Sequence, residues 1–427
     1  MIKLFIKKNE NYSKPLEYIL RTLAKNKLLS FAFIDEKNEA RIIFDHSDSR
    51  SIPINLPLFD SLLQRKVYNH EFYFPDEPRI IFPDSRKPDW LGTAFYMINA
   101  LQEYGQGDVN DSSDQYGRFR FDRSYQYRYN CIDQNLVQIC FDQFCSEHAL
   151  KPMTSKKGRA TRVFLSHDID TIHGSFLQDG MWAIKNGSPD IILKLVMNEV
   201  LLNPHWKNID RISKLHTEHD LKSTFFWLAT RKIAENGIKN ADYTIEELRG
   251  QSKFSSSNGL HKSSYTTSFS EELQTLPFTT NLNRYHFLKF TLPSAWKSLE
   301  GAGIKFDASL GFAEQYGFRN SYGLPFQPYN LNTGSPYPFV EVPLNIMDGT
   351  LHRYMNIPLK DTATTIIDFM EKNSMNCIIS ILWHNTYFTS YKYGGYLEEY
   401  KKVLLYLNER GITSITPEEI INEYGNE

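Results

Sequence analysis

The chain has 427 residues, a formal net charge of -2 at pH 7, and 41% hydrophobic and 14% aromatic residues. This length predicts two or more domains, and the apolar content is sufficient for a sizeable core, which argues against a disordered chain. A charge so close to zero gives no electrostatic basis for binding nucleic acid or an anionic membrane. We therefore expect a globular protein with no nucleic-acid partner.

The sequence shows no sign of a secretion or membrane signal. Met1–Lys8 is charged within its first apolar stretch and lacks the apolar region of a signal peptide. The apolar run 191–202 is interrupted by Lys194, Asn198 and Glu199, and no run approaches the roughly 20 residues of a membrane helix. Four cysteines without CxxC spacing favour reduced thiols. We expect a cytoplasmic protein with no transmembrane segment.

A polar, basic stretch containing Pro152 and Gly158 predicts a linker over residues 151–161. It separates an N-terminal mixed α+β domain of unknown role, residues 1–150, from a second domain, residues 162–427. In the first domain, apolar periodicity predicts helices over Asp89–Tyr104 and Asp133–His148.

Between these two helices, Gly117–Tyr129 alternates basic and aromatic residues. One interpretation is a surface for sugars or phosphates, because aromatic rings stack and arginine binds anions. The interpretation that we favour is a pair of amphipathic strands with their arginines facing outward. The sequence assigns this segment no role.

After the linker, apolar strands alternate with helices, which predicts a parallel barrel or a doubly wound sheet. Capping boxes at Thr244–Glu247 and Ser268–Glu271 mark two helix starts. The predicted strands are 162–170, 222–228, 304–310, 339–344, 377–383 and 412–415. The longer predicted helices are 188–202, 208–218, 293–300, 362–372 and 396–410.

Two carboxylates stand at the end of the first of these strands. Asp168 and Asp170 are two residues apart, so their side chains point to the same side of a sheet. Such a pair is costly unless it binds a cation or takes part in acid–base chemistry. The alternative that needs no function is an aspartate that caps the next helix or pairs with a buried arginine.

We expect two histidines to stand at strand ends as well. His261 stands in Gly259-Leu-His261, and His384 follows the apolar strand that ends at Trp383. Either histidine alone could be structural. Barrel enzymes, however, place their chemistry after the strands, and a neutral imidazole suits zinc or a similar ion. The pattern therefore favours a metal-dependent hydrolytic site.

Four segments, in this order, resemble the motifs of the polysaccharide deacetylase family (carbohydrate esterase family four): Ser166–Asp170, Lys222–Phe226, Gly259–His261 and Leu382–His384. The resemblance covers about residues 161–427. It implies a distorted (β/α) barrel, a divalent metal ion such as zinc, and an acetylated carbohydrate as substrate. It further implies that Asp168 is the catalytic base, Asp170 and His261 are metal ligands, and His384 protonates the leaving group.

One position departs from the family pattern. The family's second metal histidine would stand four residues after His261, where this chain has Tyr265. Asp170 and His261 alone are one protein ligand short of the usual three. His286 is a candidate replacement, and His173 is a weaker one. By the same resemblance, Arg284 falls near the family's active-site arginine.

Two further residues have competing interpretations. The family uses an acidic residue to orient its catalytic histidine, and we assign this role to Asp348 rather than to Glu341. A turn aspartate before Gly349 is the alternative. Arg319 is either a substrate anchor or, as we favour, a solvated arginine.

The function that the motifs imply is metal-dependent removal of an acetyl group from an N-acetylated or O-acetylated sugar, in surface polysaccharide metabolism. The main alternative, favoured by Tyr265, is a degenerate barrel that has lost its metal and binds a glycan or a partner protein. A third is a metal-dependent hydrolase acting on another amide or on a phosphoester.

Overall fold

The structure of the protein is a computed structural model. It describes residues 1–66, 70–74, 80–81, 87–104, 112–151, 159–201, 203–235, 237–266 and 268–425. Most of the predicted linker, residues 152–158, lies outside the described residues.

The N-terminal part contains a small parallel sheet in the order β2-β1-β3, formed by β1 (Ile2–Ile6), β2 (Phe31–Phe33) and β3 (Ile42–Phe44). Its described helices are α1 (Ser13–Lys27), α2 (Leu56–Gln64), α3 (His70–Tyr73), α4 (Trp90–Ile98), α5 (Tyr125–Arg128) and α6 (Leu136–Glu147). Helix α4 begins after Asp89, whose side chain accepts a hydrogen bond of 2.7 Å from the amide of Gly92. Such a bond satisfies one of the free amides at a helix start.

The second part is built on an eight-stranded sheet in which every pairing is parallel, in the order β11-β8-β7-β6-β5-β4-β13-β12. Its strands are β4 (Arg162–Ile169), β5 (Ser223–Trp227), β6 (Asn258–Lys262), β7 (Leu282–Tyr285), β8 (Phe306–Asp307), β11 (Val340–Glu341), β12 (Leu344–Met347) and β13 (Ile378–Leu382). A separate antiparallel pair joins β9 (Tyr329–Asn330) to β10 (Ser335–Pro336). The predicted α/β class with a parallel sheet is confirmed.

The sheet is strongly curled. In the sheet order β4 and β8 are four strands apart, which in a flat sheet is about 19 Å. Yet the ring centroids of Phe164 on β4 and Phe306 on β8 are 5.2 Å apart. The edge strands β11 and β12 are separated along the chain by only Val342 and Pro343. One short segment therefore joins both edges of the sheet, and the interior side chains of distant strands meet.

Helices connect most of the strands, as the length of parallel crossovers requires. They are α7 (Ser175–Lys185), α8 (Pro189–Val200), α9 (Ile209–Glu218), α10 (Ile245–Gln251), α11 (Phe269–Thr275), α12 (Ser294–Gly301), α13 (Thr362–Lys372), α14 (Tyr396–Glu409) and α15 (Pro417–Tyr424). Among the described residues, no helix is both long and apolar enough to cross a membrane.

The N-terminal part and the curled sheet share one continuous hydrophobic core. Tyr18 of α1 packs against Phe95 of α4, with ring centroids 5.8 Å apart, and against Tyr329 of β9 at 5.1 Å. Between the two parts, Arg319 forms a buried ion pair with Glu103. The N-terminal part is thus packed directly onto the part that carries the predicted motifs.

Several predicted elements agree closely with the structure, and others need correction. Helix 362–372 has the predicted bounds. The predicted strand 412–415 is reduced to a single bridge between Ser414 and Val163. The predicted helix 89–104 ends early, because Ala100 adopts a left-handed conformation with φ of 47°.

The predicted strands in Gly117–Tyr129 are wrong. Phe121–Arg123 forms a turn of 3-10 helix, and α5 follows at once. The expectation that the arginines face outward fails at Arg118, which is buried. Its guanidinium has partners that only the folded chain brings close.

Candidate functional site

The predicted site residues come together at the carboxyl ends of the strands of the curled sheet. In a parallel sheet all these ends lie on the same side, so residues that end neighbouring strands become neighbours. Asp168 lies on β4 and is followed by Asp170, and His261 on β6 pairs in register with Arg284 on β7. The remaining members follow β7, β12 and β13: His286, Asp348 and His384.

Asp170, His261 and His286 form a cluster with the arrangement of metal ligands. One ligand atom from each of the three lies within 4.8 Å of the others. Oδ1 of Asp170 is 3.3 Å from Nε2 of His261 and 3.7 Å from Nε2 of His286. Ligand atoms of a tetrahedral zinc ion, with bonds near 2.0–2.1 Å, are about 3.3 Å apart. The spacing of the cluster fits an ion of that size.

The hydrogen bonding of the cluster also fits a metal. Among the described residues, Asp170 Oδ1 has no well-directed hydrogen bond, as fits an oxygen that binds a cation. Nδ1 of His261 lies 3.0 Å from the carbonyl oxygen of Arg284. A carbonyl can only accept, so the proton is on Nδ1, and the lone pair of Nε2 points toward Asp170. This is how metal-ligating histidines are held.

Electrostatics favour the protonation states of metal ligands at Asp170 and His286, but not at His261. Burial lowers the pKa of His286 to about 4, so this imidazole is neutral at neutral pH. Burial raises the pKa of Asp170, but the nearby His286 and His261 outweigh it, and the net shift is downward. For His261, burial lowers the pKa, and Asp168 and Asp170 raise it above its usual value. An ionised carboxylate and a neutral imidazole are the forms that bind metal.

Asp168 is held beside the cluster by a buried ion pair. Nη1 of Arg284 donates to Oδ1 of Asp168 at 2.9 Å, and its Nε donates to the carbonyl of Ala308 at 2.8 Å. The guanidinium also lies over the ring of Phe226, 4.5 Å from its centroid. The second carboxylate oxygen of Asp168 is 3.5 Å from Nε2 of His261. Pairing with a buried arginine was the alternative for this aspartate, and here it fixes the carboxylate next to the metal cluster.

His384 also lies beside the cluster and is oriented by Asp348. Nδ1 of His384 donates to Oδ1 of Asp348 at 2.7 Å, and the backbone amide of His384 donates to Oδ2. The amide of Gly349 donates to the same carboxylate. Nε2 of His384 is 3.9 Å from Oδ2 of Asp170. Burial lowers the pKa of His384, but Asp348, Asp170 and Asp168 more than offset this and raise it to about 9.

The other candidates lie elsewhere. Nε2 of His173 is 2.7 Å from Glu247, which accounts for this histidine without a metal. Tyr265 is 37% exposed, and the ammonium of Lys232 lies over its ring. Arg319 is buried and paired with Glu103, so it is neither solvated nor free to anchor a substrate. Glu341 is buried and accepts from the indole of Trp296.

His167, within the first motif, has a structural environment. It is completely buried on β4, and its Nδ1 lies 2.6 Å from the carbonyl oxygen of Trp383 on the neighbouring chain segment. Its ring stacks on that of His216, with centroids 5.0 Å apart. The histidine therefore packs behind the site while Asp168 and Asp170 face it.

Comparisons with known proteins reach only part of the chain. Residues 4–151 match a family of unknown function, DUF7033. No curated protein matches the chain. One solved structure, described as a "putative polysaccharide deacetylase" from Mycobacterium smegmatis, is similar at 11% identity with a TM-score of 0.34, over 62% of this chain and 96% of that one. A similarity of this size does not establish a shared function.

Proposed function

We propose that the protein is a metal-dependent hydrolase that removes an acetyl group from an N-acetylated or O-acetylated sugar or glycan. The observation that carries the proposal is the convergence of Asp170, His261 and His286, flanked by a carboxylate and an imidazole. Asp168 is held by Arg284, and His384 is held by Asp348. A metal site with a separate general acid and general base can hydrolyse an amide or an ester.

Asp170, His261 and His286 would hold the ion, and three protein ligands leave a position open for water or substrate, as catalytic zinc sites require. When bound, a divalent ion activates water and stabilises negative charge that develops on a carbonyl oxygen. His286 takes the place of the family histidine that is missing at position 265, where this chain has Tyr265. This replacement supports an active enzyme over the degenerate barrel.

Asp168 serves as the general base in this proposal. Arg284 occupies Oδ1, so Oδ2, which faces His261, is the atom that takes the proton of the attacking water. The carboxylate does not move far during this step, because a buried ion pair and the Phe226 ring fix the guanidinium that holds it. Such fixed geometry is what makes a positioned base effective.

His384 serves as the general acid. Asp348 binds the proton on Nδ1, which leaves Nε2 directed toward the cluster to protonate the departing amine or alkoxide. The raised pKa keeps the imidazole protonated at neutral pH. Asp168 and His384 thus both lie beside the candidate metal ligands, one to remove a proton and the other to supply one.

The acetylated sugar as substrate comes from the order of the four motifs and not from the site geometry. Acetate release from zinc-loaded protein, assayed with N-acetylated and O-acetylated mono- and oligosaccharides, tests it. Asp168→Asn is expected to lower the rate at least about a hundredfold, the usual contribution of a general base. Unchanged acetate release in this variant contradicts the assigned base. Glycan binding without release supports the degenerate barrel, and turnover of phosphoesters instead supports another hydrolase.

A further inference from the structure

A segment of the N-terminal part reaches the loop that carries His286. Arg118 is buried, and its Nη1 donates to the carbonyl oxygen of Phe287 at 3.1 Å. Its Nη2 donates to the hydroxyl of Tyr354 at 3.1 Å, and its Nε donates to Asp114 at 2.7 Å. Arg118 therefore joins three segments that are far apart in the sequence.

Two aromatic rings lie against this arginine, and a third ring stacks on one of them. The rings of Tyr116 and Phe287 are stacked, with centroids 5.9 Å apart and an interplanar angle of 29°. The guanidinium of Arg118 lies 4.9 Å from the centroid of Tyr116 and 5.7 Å from that of Tyr354. Phe287 and Tyr354 are each 41% exposed. We call Tyr116, Phe287 and Tyr354 the aromatic group.

The aromatic group borders the candidate metal cluster. Phe287 directly follows His286, and their ring centroids are 4.3 Å apart. Tyr354 lies in the short π-helix Thr350–Tyr354, which begins two residues after Asp348. The group therefore stands at the same edge of the sheet as the metal cluster and the proposed acid and base.

The backbone at Phe287 is unusual for a bulky residue. Its φ is 59°, and that of Leu288 is 52°, both in the left-handed region. A non-glycine residue there carries a conformational cost that the surrounding structure must offset. The hydrogen bond from Arg118 to the Phe287 carbonyl helps to offset this conformational cost. It also holds the Phe287 ring in place although that ring is substantially exposed to solvent.

We propose that the aromatic group is a carbohydrate-stacking subsite next to the metal cluster, to which the N-terminal part contributes Tyr116. The C–H-bearing face of a pyranose is apolar, and an exposed ring with a negative face is suited to pack against it. This inference rests on the proposed function for the sugar that would occupy the neighbouring position. The subsite binds the residue adjacent to the one that is deacetylated.

The chemistry around Arg118 favours a neutral sugar over an anion. Each nitrogen of its guanidinium already has an acceptor, and the Asp114 carboxylate neutralises its charge. An anionic ligand would gain little from a charge that is already paired and buried. The arginine instead positions Phe287 and Tyr354, and the rings provide the contact surface.

The test measures binding of N-acetylated oligosaccharides, including the N-acetylglucosamine tetramer, by calorimetry. The full-length, zinc-loaded protein carries Asp168→Asn to prevent turnover. Tyr116→Ala in this background is expected to weaken binding of the oligosaccharide about threefold to tenfold, the effect of losing one ring contact. Tyr116→Phe keeps the ring and is expected to retain most of the affinity. Tyr127→Ala, at a tyrosine that is 56% exposed on α5, is the matched control.

The outcomes separate this subsite from the proposed reaction. Oligosaccharide binding that depends on the Tyr116 ring supports the subsite, even if no acetate is released by the wild-type protein, in which case the proposed reaction is wrong. If the wild-type protein releases acetate from a small aryl ester but binds no oligosaccharide of the panel, the subsite is wrong and the hydrolase stands. Equal affinities of Tyr116→Ala and the Tyr127→Ala control also overturn the subsite.

Discussion

Arg284 contacts both the proposed base, Asp168, through its side chain and the proposed metal ligand His261 through its backbone carbonyl. Its side chain donates to Asp168 at 2.9 Å, and its backbone carbonyl accepts from Nδ1 of His261 at 3.0 Å. In the sheet order β7 and β4 are three strands apart, so the first contact exists only because the sheet curls. The position of the proposed base is thereby coupled to the orientation of a proposed metal ligand.

Replacing the guanidinium of Arg284 by an ammonium group should separate these two effects. Arg284→Lys keeps the backbone carbonyl that orients His261 but cannot donate to both Asp168 and Ala308 in the same geometry. We expect kcat for acetate release to fall about a hundredfold, as misplaced catalytic groups do, while bound zinc stays near the wild-type stoichiometry. Steady-state kinetics and elemental analysis of the same preparation measure both. Arg249→Lys, at an exposed position of α10, is the control. Loss of zinc in Arg284→Lys would show that the residue acts on the metal cluster instead.

Removing the third ligand should release the metal. His286→Ala is expected to weaken zinc binding by more than about a hundredfold, because changes at residues that only support a ligand already cost about ten- to a hundredfold. Competition with a chromophoric chelator gives the dissociation constant. His173→Ala is the matched control, since this histidine pairs with Glu247. If His286→Ala binds zinc as the wild type does, then Asp170 and His261 need a different partner.

The sequence could predict the position of the site because the relevant rule is local. Residues that directly follow parallel strands meet at one edge, so Asp170, His261 and His384 could be grouped without knowing the packing. His286 could be named only as a candidate replacement for the family ligand that is absent at Tyr265. Only the structure shows that its Nε2 lies 3.7 Å from Asp170.

Contacts between distant segments could not be predicted. Arg118 reads as a surface residue in its alternating segment, and its burial depends on the Phe287 carbonyl, 169 residues away. Arg319 likewise pairs with Glu103 across 216 residues. Arg319 is buried because its counter-charge arrives through tertiary packing, which no local pattern contains. The counter-charge of Arg118, Asp114, is local, but its other two acceptors come from distant segments.

The orientation of His384 should set the alkaline limit of activity. A general acid must be protonated, so activity falls as pH rises through its pKa, which Asp348 and the neighbouring aspartates raise to about 9. Asp348→Asn removes the largest of the negative charges that raise the pKa of His384, while burial still lowers it. The alkaline limb of the kcat profile should therefore move to lower pH. Rates of acetate release between about pH 6 and pH 10 measure this shift, because that range includes both the ordinary pKa of histidine and the raised one. Asp368→Asn, at an exposed position of α13, is the control, and an unmoved limb in Asp348→Asn would exclude His384 as the acid.

The ion pair between Glu103 and Arg319 should couple the N-terminal part to the curled sheet. Both side chains are buried, and two hydrogen bonds of 2.9 Å and 2.6 Å join them. Glu103→Gln leaves a buried guanidinium without its counter-charge, and we expect the free energy of unfolding to fall by about 3–5 kcal/mol. Urea unfolding followed by tryptophan fluorescence measures the change. Glu39→Gln, which removes the exposed pair with Lys3, should leave stability unchanged. A Glu103→Gln variant as stable as the wild type would mean that this pair does not hold the two parts together.

Two buried histidines behind the site should make the protein sensitive to acid. Burial lowers the pKa of His167 to about 4 and that of His216 well below its usual value. Below pH 6.5 the unfolded chain therefore binds protons that the folded chain does not, so stability is lost as pH falls, by about 1.4 kcal/mol per pH unit for each histidine. His216→Gln removes one of these groups and should reduce the slope of unfolding free energy against pH by about one proton between pH 6.5 and 5. Urea unfolding of zinc-free protein measures the slope. His46→Gln, at an exposed position, should keep it, and an identical slope in His216→Gln would mean that His216 is protonated in the folded protein.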